Sequence, residues 1–95
     1  MEEFDWDEAN IEKNWIKHQV YWKETEEVFL NQPILTFEDT KHAETEKRFI
    51  VLGKTNKKRL LHVVFTVRNK KIRVICARDQ NRKERKTYES QTEKD

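Results

Sequence analysis

Basic side chains are concentrated near the end of the sequence, in the stretch ICARDQNRKERKTYES, which contains Arg78, Arg82, Lys83, Arg85 and Lys86. An arginine stays protonated at physiological pH, and its planar fork of N–H donors matches two oxygens of a phosphate. If the second half of this stretch is helical, Arg82, Arg85 and either Tyr88 or Glu89 share one helix face. Arg78 ends the apolar run just before that helix. These residue types at this spacing indicate a phosphate-binding surface.

The alternative for the same residues is a solvated basic helix in which Arg85 pairs with Glu84 or Glu89. Charge runs usually face solvent, so the residue pattern alone leaves both interpretations open.

RNA is the phosphate polymer whose cleavage such a surface would suit, because the ribose 2′-OH can attack its own phosphate without a metal ion. The protein must then hold the in-line geometry, stabilise the added negative charge and move protons. Histidine exchanges protons near neutral pH. The candidates for proton transfer are His18, His42, His62, Tyr88, Glu84 and Glu46. A histidine in an apolar strand, such as His62, is alternatively a structural residue.

The segment around His42 imitates a metal site, since Asp39, Glu44 and Glu46 lie close to it in sequence. Its spacing fits no tetrahedral ligand pattern, so we interpret it as a solvated loop. We therefore expect no metal. We expect no other cofactor, and the single glycine excludes a glycine-rich phosphate loop.

Three apolar runs rich in β-branched residues predict strands at 48–54, 59–67 and 71–78. The links between them are short and polar, as hairpins require, so the strands are expected to form an antiparallel meander. Period-2 alternation separates core-facing from opposite-facing residues. In the third strand it places Ile72, Val74 and Cys76 on one face and Arg73, Ile75 and Ala77 on the other. In the second strand Leu61, Val63 and Phe65 share a face, and His62 and Thr66 share the opposite one, where Arg73 is expected to join them away from the core. Arg48 begins the first strand.

Helices are predicted before and after these strands in the sequence. Residues 7–18 form the first, with Asp7 as N-cap and Ile11, Trp15 and His18 on one face. A second short helix spans 23–31 and presents Val28 and Phe29, and the third occupies 81–90. A short strand at 34–37 and a loop at 38–46 complete the pattern, which is that of an α+β fold.

Length and composition indicate one lean domain, residues 1–90, with a frayed tail at 91–95. The charge is unevenly divided. Residues 1–46 contain 13 Asp/Glu and 4 Lys/Arg, a net charge of −9, whereas residues 47–95 contain 5 and 16, a net charge of +11. This asymmetry favours a polyanion-binding surface on the second half.

The remaining features concern the cellular context. Cys76, the single cysteine, excludes an internal disulfide and is expected to be a buried structural thiol. The acidic N-terminus lacks the apolar core of a signal peptide. No apolar run approaches the roughly 20 residues of a membrane helix. We therefore expect a cytoplasmic protein without a membrane partner.

Five segments of the chain resemble, in order and spacing, those of the BrnT-type toxins, the ribonuclease halves of type II toxin–antitoxin pairs. These segments are FDWDEAN, NWIKH, EVFLNQPILTFED, HAETEKRFIVLG and IRVICARDQNRKERKTYE. Four positions depart from the family pattern, two of them being Tyr21 and Trp22, which replace a more usual small polar residue and phenylalanine. Gln19 replaces the usual glycine, so the turn after the first helix is expected to differ. Cys76 replaces a serine, which argues against serine chemistry there.

The resemblance implies a RelE-like α+β fold with N-terminal helices, an antiparallel sheet and a C-terminal helix. It also implies metal-independent RNA cleavage that stops translation and growth. The implied partner is a ribbon-helix-helix antitoxin, which together with the toxin binds DNA.

The positions that match the family motifs are Lys17, His18, Arg48, Arg78, Glu84 and Arg85. On this basis Arg48 and Arg78 are expected to bind the phosphate in the transition state, with His18, His62 and Glu84 as alternatives for proton transfer. The expected substrate-binding residues are Lys17, Arg73, Arg82, Arg85 and Tyr88. A non-catalytic nucleic-acid-binding module and a scaffold that only binds an antitoxin are the alternative functions.

Overall fold

The computed structural model describes residues 3–41 and 46–92, which form three helices and a five-stranded sheet. The order of strands across the sheet is β1-β5-β4-β3-β2. Along the chain the elements are β1 (Glu3–Phe4), α1 (Glu8–His18), α2 (Trp22–Leu30), β2 (Leu35–Asp39), β3 (Arg48–Lys54), β4 (Leu60–Arg68), β5 (Lys71–Asp79) and α3 (Arg82–Thr92).

The predicted α+β class and the meander of three strands are confirmed, since β3, β4 and β5 pair in sequence and antiparallel. The prediction of an entirely antiparallel sheet is wrong, because β1 pairs parallel with β5. The short strand predicted at 34–37 is β2, which extends through Asp39 into the predicted loop. Residues 42–45 of that loop, including His42 and Glu44, lie outside the described residues.

The third helix, α3, continues to Thr92, past the domain boundary predicted at residue 90. The last residues of the predicted tail, 93–95, lie outside the described part of the chain. No helix among the described residues is both long and apolar enough to cross a membrane.

One face of the sheet carries the core, and α2 packs on it. Leu61, Val63 and Phe65 share this face, as predicted, and pack with Val28 of α2. Gly53 permits the close approach of α2, because a Cβ at this position would lie 2.7 Å from Val28 Cγ1. Real Cβ atoms do not tolerate such a contact, so the position favours glycine.

A bulge in β5 overturns part of the predicted facing of that strand. Val64 pairs with Cys76 and Phe65 pairs with Val74, so Ile75 has no partner of its own in the ladder. The extra residue shifts the alternation by one position. Consequently Ala77 joins the core beside Val63, whereas Cys76 is half-buried and lies on the opposite face with Arg78 and His62.

Side chains of α1 cover the edge of β5 beyond its short pairing with β1. Asn10 Nδ2 donates to the Val74 carbonyl at 3.0 Å, and Lys13 Nζ donates to the Ile75 carbonyl at 3.2 Å. Asn14, which is 2% exposed, accepts from the Ala77 N–H at 3.3 Å. These polar groups satisfy an edge that would otherwise be open to pairing with another strand.

The ends of α1 follow local rules. Asp7 is the N-cap, as predicted, and its carboxylate accepts from the Asn10 N–H at 2.8 Å. Gln19, after which a different turn was expected, is the C-cap residue and adopts φ 53° and ψ 38°. This is the left-handed conformation that glycine favours after a helix.

The third helix begins with a capping box and lies on the opposite, non-core face of the sheet. At its start, the Asn81 N–H donates to Glu84 Oε1 at 2.9 Å and the Glu84 N–H donates to Asn81 Oδ1 at 2.8 Å. Further along, the buried Tyr88 donates its hydroxyl to the Pro33 carbonyl at 2.7 Å. The helix therefore lies against β2 and β3.

Candidate active site

An ion pair between β5 and α3 lies on the non-core face, near the end of β5. Arg78 Nη1 and Nη2 each donate to one carboxylate oxygen of Glu84, both at 2.9 Å. Nη1 also donates to the Asp79 carbonyl at 3.0 Å. The Arg78 side chain remains 32% exposed. The guanidinium is thus fixed in orientation but still reached by solvent.

Glu84 accepts from Nη1 and Nη2, the two terminal nitrogens of the Arg78 guanidinium, and not from Nε. Within the described part of the chain, no acceptor lies on Arg78 Nε. Nε–H and the second Nη2–H together form a lateral fork of two parallel donors. Such a fork matches two oxygens of a phosphate, so the pair presents Arg78 as a prearranged anion site.

The charge state of Glu84 follows from its neighbours. Burial alone would raise the pKa of Glu84, but the hydrogen bonds from Arg78 and from the Asn81 N–H outweigh it. The pKa of Glu84 therefore lies below its ordinary value of 4.5. A carboxylate that is ionised and already bound by these donors is a weak base, and its geometry is that of a positioning group.

His62 is the cross-strand neighbour of Arg78 and is 8% exposed. Its Nε2 lies 3.4 Å from Glu84 Oε2, and its Nδ1 is buried with no hydrogen-bond partner among the described residues. Burial, together with the nearby Arg78 cation, lowers the pKa of His62 below 6.5. His62 is therefore neutral at pH 7, and its geometry favours the tautomer whose Nε2–H points at Glu84.

His18 lies beside Cys76, which precedes Arg78 by two residues in β5. It ends α1, and its Nε2 is 4.0 Å from Sγ of Cys76. Cys76 and Arg78 share one face of β5, so His18 contacts that face two residues before Arg78, whereas His62 is the cross-strand neighbour of Arg78 itself. His18 is half-buried, whereas His62 is buried.

Arg59, which the sequence patterns did not single out, fixes the end of α1 that carries His18. It donates to Asp79 Oδ1 at 2.7 Å and pairs with Glu24 of α2 at 3.2 Å. It also donates to the main-chain carbonyls of His18 and Gln19. One guanidinium thus ties α1, α2 and β5 together beside the ion pair.

Arg48 begins β3, and no ion pair of this residue occurs in the ranges 3–41 and 46–92. The hydrogen bond from Arg68 and the Arg68 charge lower the pKa of Glu46, and the Arg48 charge adds to this effect. Arg48 is half-buried and pairs across the strands with Asp39. Arg48 is therefore a second cation on the sheet, at the start of β3 rather than in β5.

The remaining predicted substrate-binding residues are not gathered at one place. Arg82 and Arg85 share an exposed depression with Lys86 at the start of α3. Lys17 is exposed on the last turn of α1. Arg73 does share a face with His62 and Thr66, as predicted, but it pairs with Asp5 and Asp7. Tyr88 faces the sheet rather than the Arg82 and Arg85 surface.

A groove of about 520 Å³ lies between the sheet and α3, beside the ion pair. The sequence patterns missed it, because its residues come from β2, β3, β4 and α3. Phe37, Ile50 and Leu52 form its apolar floor, and Lys41, Lys83, Glu84 and Thr87 stand around it. Phe37 is 44% exposed, which is unusual for a phenylalanine.

A larger groove, of about 730 Å³, runs between α1 and the start of α2. It is lined by Ile11, Trp15 and Tyr21 with Glu8 and Glu12 at its rim. Trp15 is 54% exposed and Tyr21 is 46% exposed. This apolar surface with acidic borders lies on α1 and α2, away from the groove beside α3.

No cluster of three or more His, Cys, Asp or Glu side chains suited to a metal ion occurs among residues 3–41 and 46–92. His42 and Glu44 lie outside the described residues, so the interpretation of that segment as a solvated loop stays a prediction.

Comparison with known families gives one match. A family model described as "Ribonuclease toxin, BrnT, of type II toxin-antitoxin system" matches residues 6–84. The matched range contains Arg48, Arg78 and Glu84, and ends before Arg85. No curated protein shows a significant match to the chain.

Proposed function

The chain belongs to the BrnT family of ribonuclease toxins of type II toxin–antitoxin systems, and from this premise we propose that it is a metal-independent endoribonuclease whose phosphate site is Arg78. The observation that carries the proposal is the end-on pairing of Arg78 with Glu84, which leaves Nε–H and one Nη2–H without an acceptor among the described residues. A RelE-like fold, with a C-terminal helix lying over the sheet, belongs to the same proposal.

In the proposed reaction, the 2′-oxygen of one ribose attacks the adjacent phosphorus, and the bond from phosphorus to the 5′-oxygen breaks. A cyclic 2′,3′-phosphate and a 5′-hydroxyl end result. Arg78 binds the phosphate oxygens through Nε and Nη2 and stabilises the charge that develops in the transition state. Arg48 adds a second positive charge at the same face of the sheet.

Two protons must move in this reaction, one from the 2′-OH and one to the departing 5′-oxygen. We assign proton transfer to His18, because its ring is half-buried rather than buried and lies beside Cys76 on the Arg78 side of β5. We assign Glu84 and His62 positioning roles. Glu84 orients Arg78, and His62 faces Glu84 while its Nδ1 is buried.

The substrate strand would extend from this site along the basic surface of α3. Arg82 and Arg85 are exposed and suited to phosphate contacts along that path, and Lys17 is a further exposed cation on the last turn of α1. Arg73 and Tyr88 are left out of the proposed RNA surface. The first is held by Asp5 and Asp7, and the hydroxyl of the second is held by Pro33.

A type II toxin acts on RNA and binds an antitoxin protein. We propose that the antitoxin is a ribbon-helix-helix protein, that the complex binds DNA, and that the toxin acts in the cytoplasm. An exposed apolar groove around Trp15 supports a protein partner, because large exposed apolar surfaces mark interaction sites. The sequence of the open reading frame next to the gene tests the antitoxin class.

Arg78→Ala tests the proposed phosphate site. Loss of the fork should lower the cleavage rate of a synthetic RNA by about 10²- to 10³-fold, the usual effect of removing one transition-state hydrogen-bond donor. Arg78→Lys keeps the charge but not the fork, so it should restore only part of the rate. Cleavage is followed by gel electrophoresis with a chelator present, and mass spectrometry identifies the product ends.

Arg68→Ala is the matched control. Arg68 is also an arginine held by a carboxylate, Glu46, but it stands at the end of β4. This variant should cleave at the wild-type rate. Equal rates for Arg78→Ala and the wild type would contradict the proposed site, and a requirement for added metal would contradict the mechanism.

A further inference from the structure

The groove beside the Arg78–Glu84 pair combines an exposed aromatic ring with a positively charged border. Phe37 lies on β2, the edge strand of the sheet, and pairs across the strands with Ile50. Lys41 and Lys83 are both exposed at its sides. Glu84, the acidic residue among those lining it, is already neutralised by Arg78.

From this juxtaposition we propose that the groove is a nucleobase subsite, in which one unpaired base of the RNA stacks on the Phe37 ring. The proposal rests on the proposed function and deepens it, since it names single-stranded RNA as the substrate class. Phe37 is a substrate-binding residue in this account and takes no part in the proton transfers.

The dimensions and position of the groove fit this occupant. Its volume of about 520 Å³ falls within the range of roughly 300–1,000 Å³ that is typical of small-molecule pockets. His62 and Glu84 belong both to the groove and to the cluster that holds Arg78. An RNA strand whose phosphate binds Nε and Nη2 of Arg78 can therefore place a neighbouring base on Phe37.

Charge distinguishes this groove from the larger one on α1. Lys41 and Lys83 attract the phosphates that flank a bound base. Glu8 and Glu12, at the rim of the larger groove that contains Trp15, repel them. Aromatic rings bind bases of unpaired RNA by stacking, and a base inside a duplex does not present its face. The subsite therefore selects unpaired nucleotides and tolerates different bases.

The first experiment measures the dissociation constant of a short 2′-O-methyl RNA, which lacks the attacking hydroxyl and is not cleaved. Fluorescence anisotropy with the full chain reports binding. Phe37→Ala should weaken binding by about 5- to 150-fold, the effect of losing one base–aromatic stack. Phe37→Trp should bind at least as tightly as the wild type, and Phe37→Leu should fall between the two.

Trp15→Ala is the matched control, because it removes an aromatic ring of comparable exposure from the acidic groove. It should leave RNA affinity unchanged. Because Phe37 is exposed on an edge strand, its substitution should not unfold the protein. Thermal unfolding of each variant checks that the fold is kept. Phe37→Trp provides a second test that does not depend on truncation.

The second experiment moves a single abasic ribose along the same RNA. At the position whose base occupies the groove, the missing base should weaken binding to the wild type by the same factor as Phe37→Ala does with intact RNA. The RNA that is abasic at this position should bind the wild type and Phe37→Ala with equal affinity, because the stack is absent from both complexes. Equal sensitivity of both proteins at every position would overturn the subsite.

Other outcomes separate this proposal from the proposed function. If Arg78→Ala loses cleavage while Phe37→Ala binds RNA normally, the subsite is wrong and the phosphate site stands. If Phe37→Ala binds RNA normally but loses the antitoxin, the groove binds protein rather than RNA. If the wild type neither binds nor cleaves RNA, both proposals fail.

Discussion

At the scale of single residues, the pairing of Arg78 with Glu84 holds a partly exposed cation in one orientation. An exposed arginine on a flexible stem loses rotamer freedom when it binds a phosphate. Glu84 removes that freedom in advance, because it is itself fixed by the first turn of α3. The same carboxylate therefore caps the start of a helix and orients the proposed phosphate site.

The buried His62 makes stability depend on pH, and the direction follows from its pKa. Folding lowers the pKa of His62 below the ordinary value of 6.5, because the imidazole is buried and lies near Arg78. As the pH falls from about 7 to 5, the unfolded chain takes up a proton on this residue that the folded chain resists. Stability should therefore decrease over this interval.

His62→Gln tests the direction of this effect, since glutamine keeps an N–H donor but does not titrate. Urea unfolding at several pH values should give a shallower fall of stability for the variant than for the wild type between about pH 7 and 5. Identical pH dependence in the two proteins would show that His62 has the same pKa folded and unfolded.

At the scale of elements, the turn after α1 offers a test of backbone strain. Gln19 holds the left-handed conformation at φ 53°, which costs an L-residue roughly 1–2 kcal/mol and glycine almost nothing. Its amide partly compensates by donating to the Ile16 carbonyl at 3.0 Å. Gln19→Gly should raise the free energy of unfolding by about 1 kcal/mol, measured by urea denaturation.

Gln19→Ala separates the two contributions, because it removes the amide and keeps the strained backbone. It should be less stable than the wild type, and Gln19→Gly should be the most stable of the three proteins. A glycine variant no more stable than the alanine variant would mean that strain at this turn is negligible.

The elements that sequence predicted well are those with a local signal. Alternating apolar residues and short polar links were sufficient for β3, β4 and β5, and a capping residue and charge pattern were sufficient for α1. β1 carries no such signal, since it is two residues long and depends on a distant parallel partner. The bulge at Ile75 is equally invisible, because pairing across strands determines it.

The candidate site was predictable in its members but not in its assembly. Arg78, Glu84, His18 and His62 are recognisable from residue type and family resemblance. Their grouping depends on a strand register, a bulge and the packing of α3, none of which a linear pattern specifies. Phe37 could not be predicted as a site residue for the same reason. The groove in which it lies forms only when α3 packs against the sheet.

At the scale of the whole molecule, the two grooves differ in the charge of the residues that surround them. The apolar groove of Trp15 lies on α1 and α2, in the half whose net charge is −9. The groove of Phe37 and the basic surface of α3 take most of their cations from the half whose net charge is +11. A polyanion should therefore be steered to the side that holds Arg78.

Salt dependence of RNA binding tests this division, since each neutralised phosphate releases condensed counterions. Arg82→Ala and Lys83→Ala should each weaken binding and reduce the slope of log K against log salt by about one. Lys23→Ala removes the same charge from α2, beside Trp22, and should leave the slope unchanged. Phe37→Ala should weaken binding without changing the slope, because a stacked base releases no counterion. An equal change in slope for Lys23→Ala and Lys83→Ala would show that RNA responds only to net charge, and the orientation inferred from the two grooves would then be wrong.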